Sequence, residues 1–113
     1  MTEKKKILII DDDAFLLDMY GNKFEKNGFE VKTSTNGQDA IEILKNGFNP
    51  NVILMDLIMP VMDGFSILEN IKTEGLAPSS LYIVLSNQGT PEAIKKSKEL
   101  GFHDFIVKSD FIP

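Results

Sequence analysis

Two hydrophobic periods alternate along this chain, and that alternation restricts its fold more than any other feature. The run "KKILIID" (5–11) is lysine-led, apolar and of strand length. It is followed by "AFLLDMYGNKFEKNG" (14–28), with apolar or aromatic residues at 16, 17, 20 and 24, which is helical spacing, and an Asn-Gly stop. "FEVKTS" (29–34) alternates apolar and polar residues, as a half-exposed edge strand does. "NGQDAIEILKNG" (36–47) sets Ala40, Ile41, Ile43 and Leu44 on one helical stripe, and "NVILMD" (51–56) is a continuous apolar run, as expected of a strand covered on both faces. "GFSILENIKTEG" (64–75) reads as a helix, "SLYIVLSN" (80–87) as a buried strand, and "DFIVKS" (104–109) as a fifth short strand. Between the last two, "TPEAIKKSKELG" (90–101) reads as a helix with Thr90 as N-cap, Pro91 at its first position and Gly101 at its end. The pattern βαβαβαβαβ predicts an α/β fold, a parallel sheet with right-handed crossovers and helices on both faces. No repeat, linker or low-complexity tract interrupts it, so the 113 residues are expected to form one domain around a single core.

Composition narrows the function classes. No apolar run approaches the roughly 20 residues that a membrane-spanning helix needs. The N-terminal apolar run is short and ends in aspartates where a signal peptidase site would lie, so no signal peptide is expected. Cysteine is absent, which removes disulfides and thiolate chemistry and fits a cytoplasmic setting. The formal net charge is −5, and all 12 basic residues are lysines. Without arginine and without a basic surplus, direct binding to DNA or RNA is not expected, whereas a hard cation suits the acidic balance.

In an open parallel sheet, ligands collect beyond the carboxyl ends of the strands, where the strand order reverses. The first strand ends in Asp11-Asp12-Asp13, the third in Asp56, the fourth in Ser86-Asn87 and the fifth in Lys108. Carboxylates brought together there repel one another unless a positive charge joins them. An all-oxygen ligand set points to Mg²⁺ or Mn²⁺, and Lys108 adds a second cation.

The segments "KILIIDDD", "NVILMDLIMPVMDG", "YIVLSN" and "DFIVK", in this order and spacing, resemble the receiver domain of bacterial response regulators, from about Lys5 to Lys108. The D-x-x-M-P-x-x-D-G signature falls on Asp56, Met59, Pro60, Asp63 and Gly64. The resemblance implies a doubly wound, flavodoxin-like sheet of strand order 2-1-3-4-5. It implies Asp56 as phosphoacceptor, Asp11 and Asp12 as the acidic pair holding Mg²⁺ (Asp12 directly, Asp11 through water), and the backbone carbonyl of Ile58 as a further ligand. Ser86, with Asn87 beside it, matches the switch hydroxyl, Lys108 the lysine that pairs with the acyl phosphate, and Phe105 the switch aromatic. The implied partners are a sensor histidine kinase or phosphotransfer protein and a downstream protein that reads the surface of the fourth helix and fifth strand. No enzymatic turnover is implied beyond self-phosphorylation from a donor and slow self-dephosphorylation.

The chemistry agrees with the residue types. A carboxylate attacking an anionic phosphoryl donor needs a cation to neutralise the charge that builds up. A rigid strand end holds the nucleophile for in-line attack. Other residues have plainer roles: Asp13 reads as the N-cap of the first helix, Asp63-Gly64 as a turn and helix start, Met55, Met59 and Met62 as packing and loop residues, and His103 as a surface residue rather than a phosphohistidine.

Ser109 stands where the family has proline, Asn87 where a small residue is usual, and Ile58 and Gln88 occupy the positions that tune phosphate lifetime. An apolar Ile58 cannot position an attacking water, which predicts slow self-hydrolysis. The chain stops at "SDFIP" (109–113), where a fifth helix would begin. The expectation is a trimmed receiver domain spanning 1–113, with one sheet face left apolar and open to a partner, including a second copy. Dimerisation through the fourth helix and fifth strand is the other arrangement considered. Two further readings stand beside the phosphorylation switch. One is a docking module of the same fold that signals without phosphate. The other is a haloacid-dehalogenase-like phosphatase, which the absence of D-x-D disfavours, since Leu57 and Ile58 follow Asp56.

Overall fold

The computed structural model describes residues 4–56, 64–86 and 90–107, without the side chain of Phe65. Its elements alternate as the sequence predicts: β1 (Lys6–Ile10), α1 (Ala14–Lys26), β2 (Glu30–Ser34), α2 (Gly37–Lys45), β3 (Val52–Met55), α3 (Gly64–Thr73), β4 (Leu81–Ser86), α4 (Pro91–Glu99) and β5 (Asp104–Val107). The five strands form one parallel sheet in the order β2-β1-β3-β4-β5, so the order reverses between β1 and β3.

Local chemistry sets the element ends. Asp13 caps α1, its carboxylate accepting the N–H groups of Phe15 and Leu16 at 3.0 and 3.3 Å. Asn36 caps α2 by accepting from Asp39 at 2.7 Å, and Thr90 caps α4 by accepting from Ala93 at 3.2 Å, with Pro91 behind it. Two boundaries are tighter than the sequence suggests. The N–H of Gly75 bonds to Lys72 C=O and that of Leu76 to Ile71 C=O, so α3 closes at Thr73 and the residues after it form the turn. Ser80 belongs to a turn, its N–H on Ala77 C=O and its hydroxyl on Pro50 C=O, and β4 starts one residue later.

Strand alternation divides the apolar residues between two faces. Leu8, Ile10, Ile53, Met55, Tyr82 and Val84 face α2 and α3, where Ala40, Ile41, Leu44, Ile67, Leu68 and Ile71 complete the larger core. Ile7, Ile9, Leu54 and Leu85 face the other way, onto Leu17 and Tyr20 of α1. Complete burial of one such aliphatic side chain stabilises by about 1.5–3 kcal/mol, so β1 and β3, buried on both faces, anchor the sheet. On the α1 side, Ile83 and Ile106 are half-buried. The segment 109–113, where the sequence reading has the chain stop at the start of a fifth helix, lies outside the described residues.

Candidate functional site

Register builds the site. Ile10 pairs with Met55 across β1 and β3, which makes Asp11 and Asp56 the first residues beyond two adjacent strand ends. The Asp56 N–H donates to Ile10 C=O at 3.0 Å and the Asp11 N–H to Ser34 C=O at 3.1 Å, so the backbone on both sides of the reversal is held to neighbouring strands. Asp11 is fully buried and Asp56 is 7% exposed, whereas Asp12 is exposed. One carboxylate oxygen from each of Asp11, Asp12 and Asp56 lies within 4.8 Å of the others.

This is an all-oxygen cluster of three like charges, two of them on buried residues. Such a set is tolerable when a hard cation sits among the oxygens, and carboxylate oxygens are what Mg²⁺ and Mn²⁺ select. The residues present therefore fit a divalent ion. Asp13 lies outside the cluster, and its carboxylate is engaged in the α1 cap. Its N–H donates to Asp11 Oδ1 at 3.0 Å, which orients the buried acid.

The remaining sequence-predicted residues divide into two groups. Ser86 is the last residue of β4 and is buried at 4% exposure, opposite Val107 of β5. Phe105 on β5 is half-buried and packs against the larger core. Ile58, Asn87 and Lys108, with Met59, Pro60, Met62, Asp63, Gln88 and Ser109, lie outside the described residues.

The structure adds a partner to the sequence reading of His103 as a surface residue. The ring is exposed, as expected, but it is not a bystander: Nδ1 accepts the Tyr82 N–H at 3.0 Å and the ring stacks on that of Tyr82. No sequence signal could have found it, because the partner lies 21 residues away on another strand. The same holds for Asn51, whose Oδ1 accepts the Lys6 N–H at 2.8 Å.

Comparison with known proteins agrees with this geometry. The response regulator receiver domain family matches residues 7–110. The chemotaxis protein CheY of Thermotoga maritima is 35% identical over 105 residues, covering 92% of this chain and 85% of that protein. CheY of Bacillus subtilis is 38% identical over 104 residues, covering 91% and 84%. The chain also aligns with larger proteins, spanning 30% of protein-glutamate methylesterase/protein-glutamine glutaminase 1 of Syntrophomonas wolfei at 37% identity over 107 residues. It spans 42% of a probable transcriptional regulator, ycf27, of Porphyridium aerugineum. Among solved structures, CheY4 of Vibrio cholerae superposes with a TM-score of 0.87 at 25% identity, covering 94% of this chain and 88% of that one. A CheY-like receiver domain of Methanospirillum hungatei superposes with a TM-score of 0.82 at 28% identity, covering 94% and 82%. Sheet order, acid placement and these matches agree, and the chain belongs to the receiver domain family of two-component response regulators.

Proposed function

We propose that this receiver domain is a phosphorylation-driven switch in which Asp56 accepts a phosphoryl group from the phosphohistidine of a sensor kinase or phosphotransfer protein. The observation that carries the reading is the convergence of the Asp11, Asp12 and Asp56 oxygens within 4.8 Å at the strand-order reversal. Asp11, Asp12 and Asp56, with the carbonyl of Ile58, would hold Mg²⁺. A bound Mg²⁺ neutralises charge on the phosphoryl oxygens and on the attacking carboxylate.

This chain's own residues carry the rest. Asp56, fixed at the end of β3, attacks phosphorus; an O–P bond forms as the donor's N–P bond breaks, and the donor histidine, protonated on its other ring nitrogen, keeps the N–P electron pair and leaves as neutral imidazole. Ser86, on the neighbouring strand end, donates its hydroxyl to a phosphoryl oxygen, and Lys108 pairs with the acyl phosphate. Phe105 repacks into the space that Ser86 vacates, and a downstream protein reads the altered surface of α4 and β5. This is a two-state equilibrium biased by local charge. Ile58, unable to orient water, makes the phosphate long-lived; dephosphorylation should quicken in Ile58→Asn, and equal rates would refute that role.

The test is incubation with acetyl phosphate and Mg²⁺ followed by intact-protein mass spectrometry. One phosphoryl mass, absent in Asp56→Asn and absent in chelator, supports the switch. No phosphoryl uptake would favour a docking module that signals without phosphate, and steady turnover of a phosphomonoester would favour an enzyme.

A further inference from the structure

At the edge of the sheet away from the carboxylates, β4 and β5 are joined through a side chain. Tyr82 C=O accepts the His103 N–H at 2.7 Å, and the Tyr82 N–H donates to His103 Nδ1 at 3.0 Å. In a continued parallel ladder His103 stands opposite Tyr82, and that second bond would run to the carbonyl of the residue before it, Phe102. Phe102 instead follows the turn that closes α4, with its N–H on Ser97 C=O at 3.0 Å. The imidazole takes the place of the missing ladder carbonyl. Its ring lies nearly parallel to that of Tyr82, with centroids 5.9 Å apart and 14° between planes.

An imidazole nitrogen that accepts a hydrogen bond carries no proton, so neutral His103 holds its proton on Nε2. Imidazolium has two donors and no acceptor. Protonation would therefore set a donor against the Tyr82 N–H. The ring is exposed, so the proton can come directly from solvent.

We propose that His103 is a proton-responsive latch between β4 and the start of β5, closed by the neutral imidazole and released when the imidazole is protonated. The charged groups on the converging elements are few. Asp104, next on β5, has Oδ1 occupied by the Phe105 N–H at 2.8 Å. The Tyr82 phenol is uncharged and donates to Ala77 C=O at 2.8 Å. Lys98 and Glu99 stand in the last turn of α4, and Lys72 of α3 reaches across to Gly101, where an added side chain would collide with its Nζ. β3 contributes no charge.

β5 is the element such a latch can control. It is an edge strand of four residues, none of them fully buried, and it carries Phe105. Release loosens this strand while Asp11, Asp12 and Asp56 stay held at the opposite edge, so the inference does not depend on the phosphorylation reading.

The experiment is nuclear magnetic resonance on the ¹⁵N-labelled chain at about pH 7.5 and about pH 5, with the imidazole nitrogens reporting the protonation state at each. At the higher pH the imidazole nitrogens should report the Nε2–H tautomer. At the lower pH the hydrogen-exchange protection factors of the Tyr82 and β5 amides should fall about three- to tenfold, the range one lost hydrogen bond gives. His103→Asn offers an oxygen acceptor that does not titrate there, and its protection should be equal at both pH values. His103→Phe keeps the ring without the acceptor, and its protection should be low at both. An Nδ1–H tautomer in the wild type, or a fall of the same size in His103→Asn, would overturn the latch. The wild-type tautomer and protection factors decide the matter even if neither variant folds.

Discussion

The two edges of this sheet are built on opposite principles. At the edge where the strands begin, polar groups are matched one to one. Asn51 takes the Lys6 N–H, Ser80 bonds Pro50, the Tyr82 phenol bonds Ala77, and His103 completes the ladder between β4 and β5. At the edge where the strands end, three carboxylates of one sign are brought within 4.8 Å. The first arrangement satisfies donors and acceptors and holds the strands in place. The second gathers like charges, which destabilises the ion-free fold, and makes sense as a prepared binding site. The paired edge and the acidic edge are thus segregated along the strand axis, with the doubly buried β1 and β3 between them.

Substitutions at the two edges should therefore move stability in opposite directions. The largest expected effect is at the paired edge. Tyr82→Ala removes a ring that is 5% exposed together with its phenol bond, and should cost about 3–5 kcal/mol by urea denaturation. Tyr82→Phe, which removes only the hydroxyl, should cost about 1 kcal/mol. Equal costs for the two would mean that the ring contributes nothing and the bond everything.

At the acidic edge the sign should reverse. In magnesium-free buffer Asp12→Asn should stabilise the fold by about 0.5–1 kcal/mol, because it removes one of three converging charges. A loss of stability there would erase the contrast between the edges.

A control lies away from both. Gly21 is buried within α1, and a Cβ added there would meet Thr33 Cγ2 at 3.7 Å and Val31 Cγ1 at 3.8 Å, ordinary contacts. Gly21→Ala should stabilise by about 0.5–1 kcal/mol through helix propensity, with or without magnesium.

The smallest effect is alkaline. Burial pushes the Tyr82 phenol above its usual 10.0, so the folded state holds that proton to higher pH than the unfolded chain does. The associated stability is complete below pH 10.0 and is lost as pH rises through the folded value. Tyr82→Phe should flatten that part of the stability profile, and an unchanged profile would assign the titration elsewhere.

The difference between the edges also explains what the sequence disclosed. The C-terminal edge was legible because much of its logic is local: each acid directly follows an apolar run, a parallel sheet puts the strand ends at one edge, and the resemblance to receiver domains supplied the strand order that makes the first and third neighbours. Asp11, Asp12 and Asp56 can be grouped from the sequence. Two caps were legible for the same reason, with Asp13 and Thr90 acting within three residues of their own positions. The N-terminal edge was not. Asn51 reaches back 45 residues to Lys6, Ser80 reaches 30 to Pro50, and Tyr82 reaches 21 to His103. Each is an ordinary polar residue near a turn, and only the register of the folded sheet gives it a partner. Ser80 was read as strand on its apolar neighbours and proved to be a turn residue, because its hydroxyl and N–H bond to carbonyls outside the ladder.

The most direct test of the contrast is denaturation of the wild type and of Asp12→Asn with and without MgCl₂. Magnesium at tenfold its dissociation constant should add about 1.4 kcal/mol to the wild type and little to the variant, so that the order of their stabilities inverts when the ion is supplied. No magnesium-dependent stabilisation of the wild type, or the same gain in both proteins, would contradict the assignment of the acidic edge as a cation site.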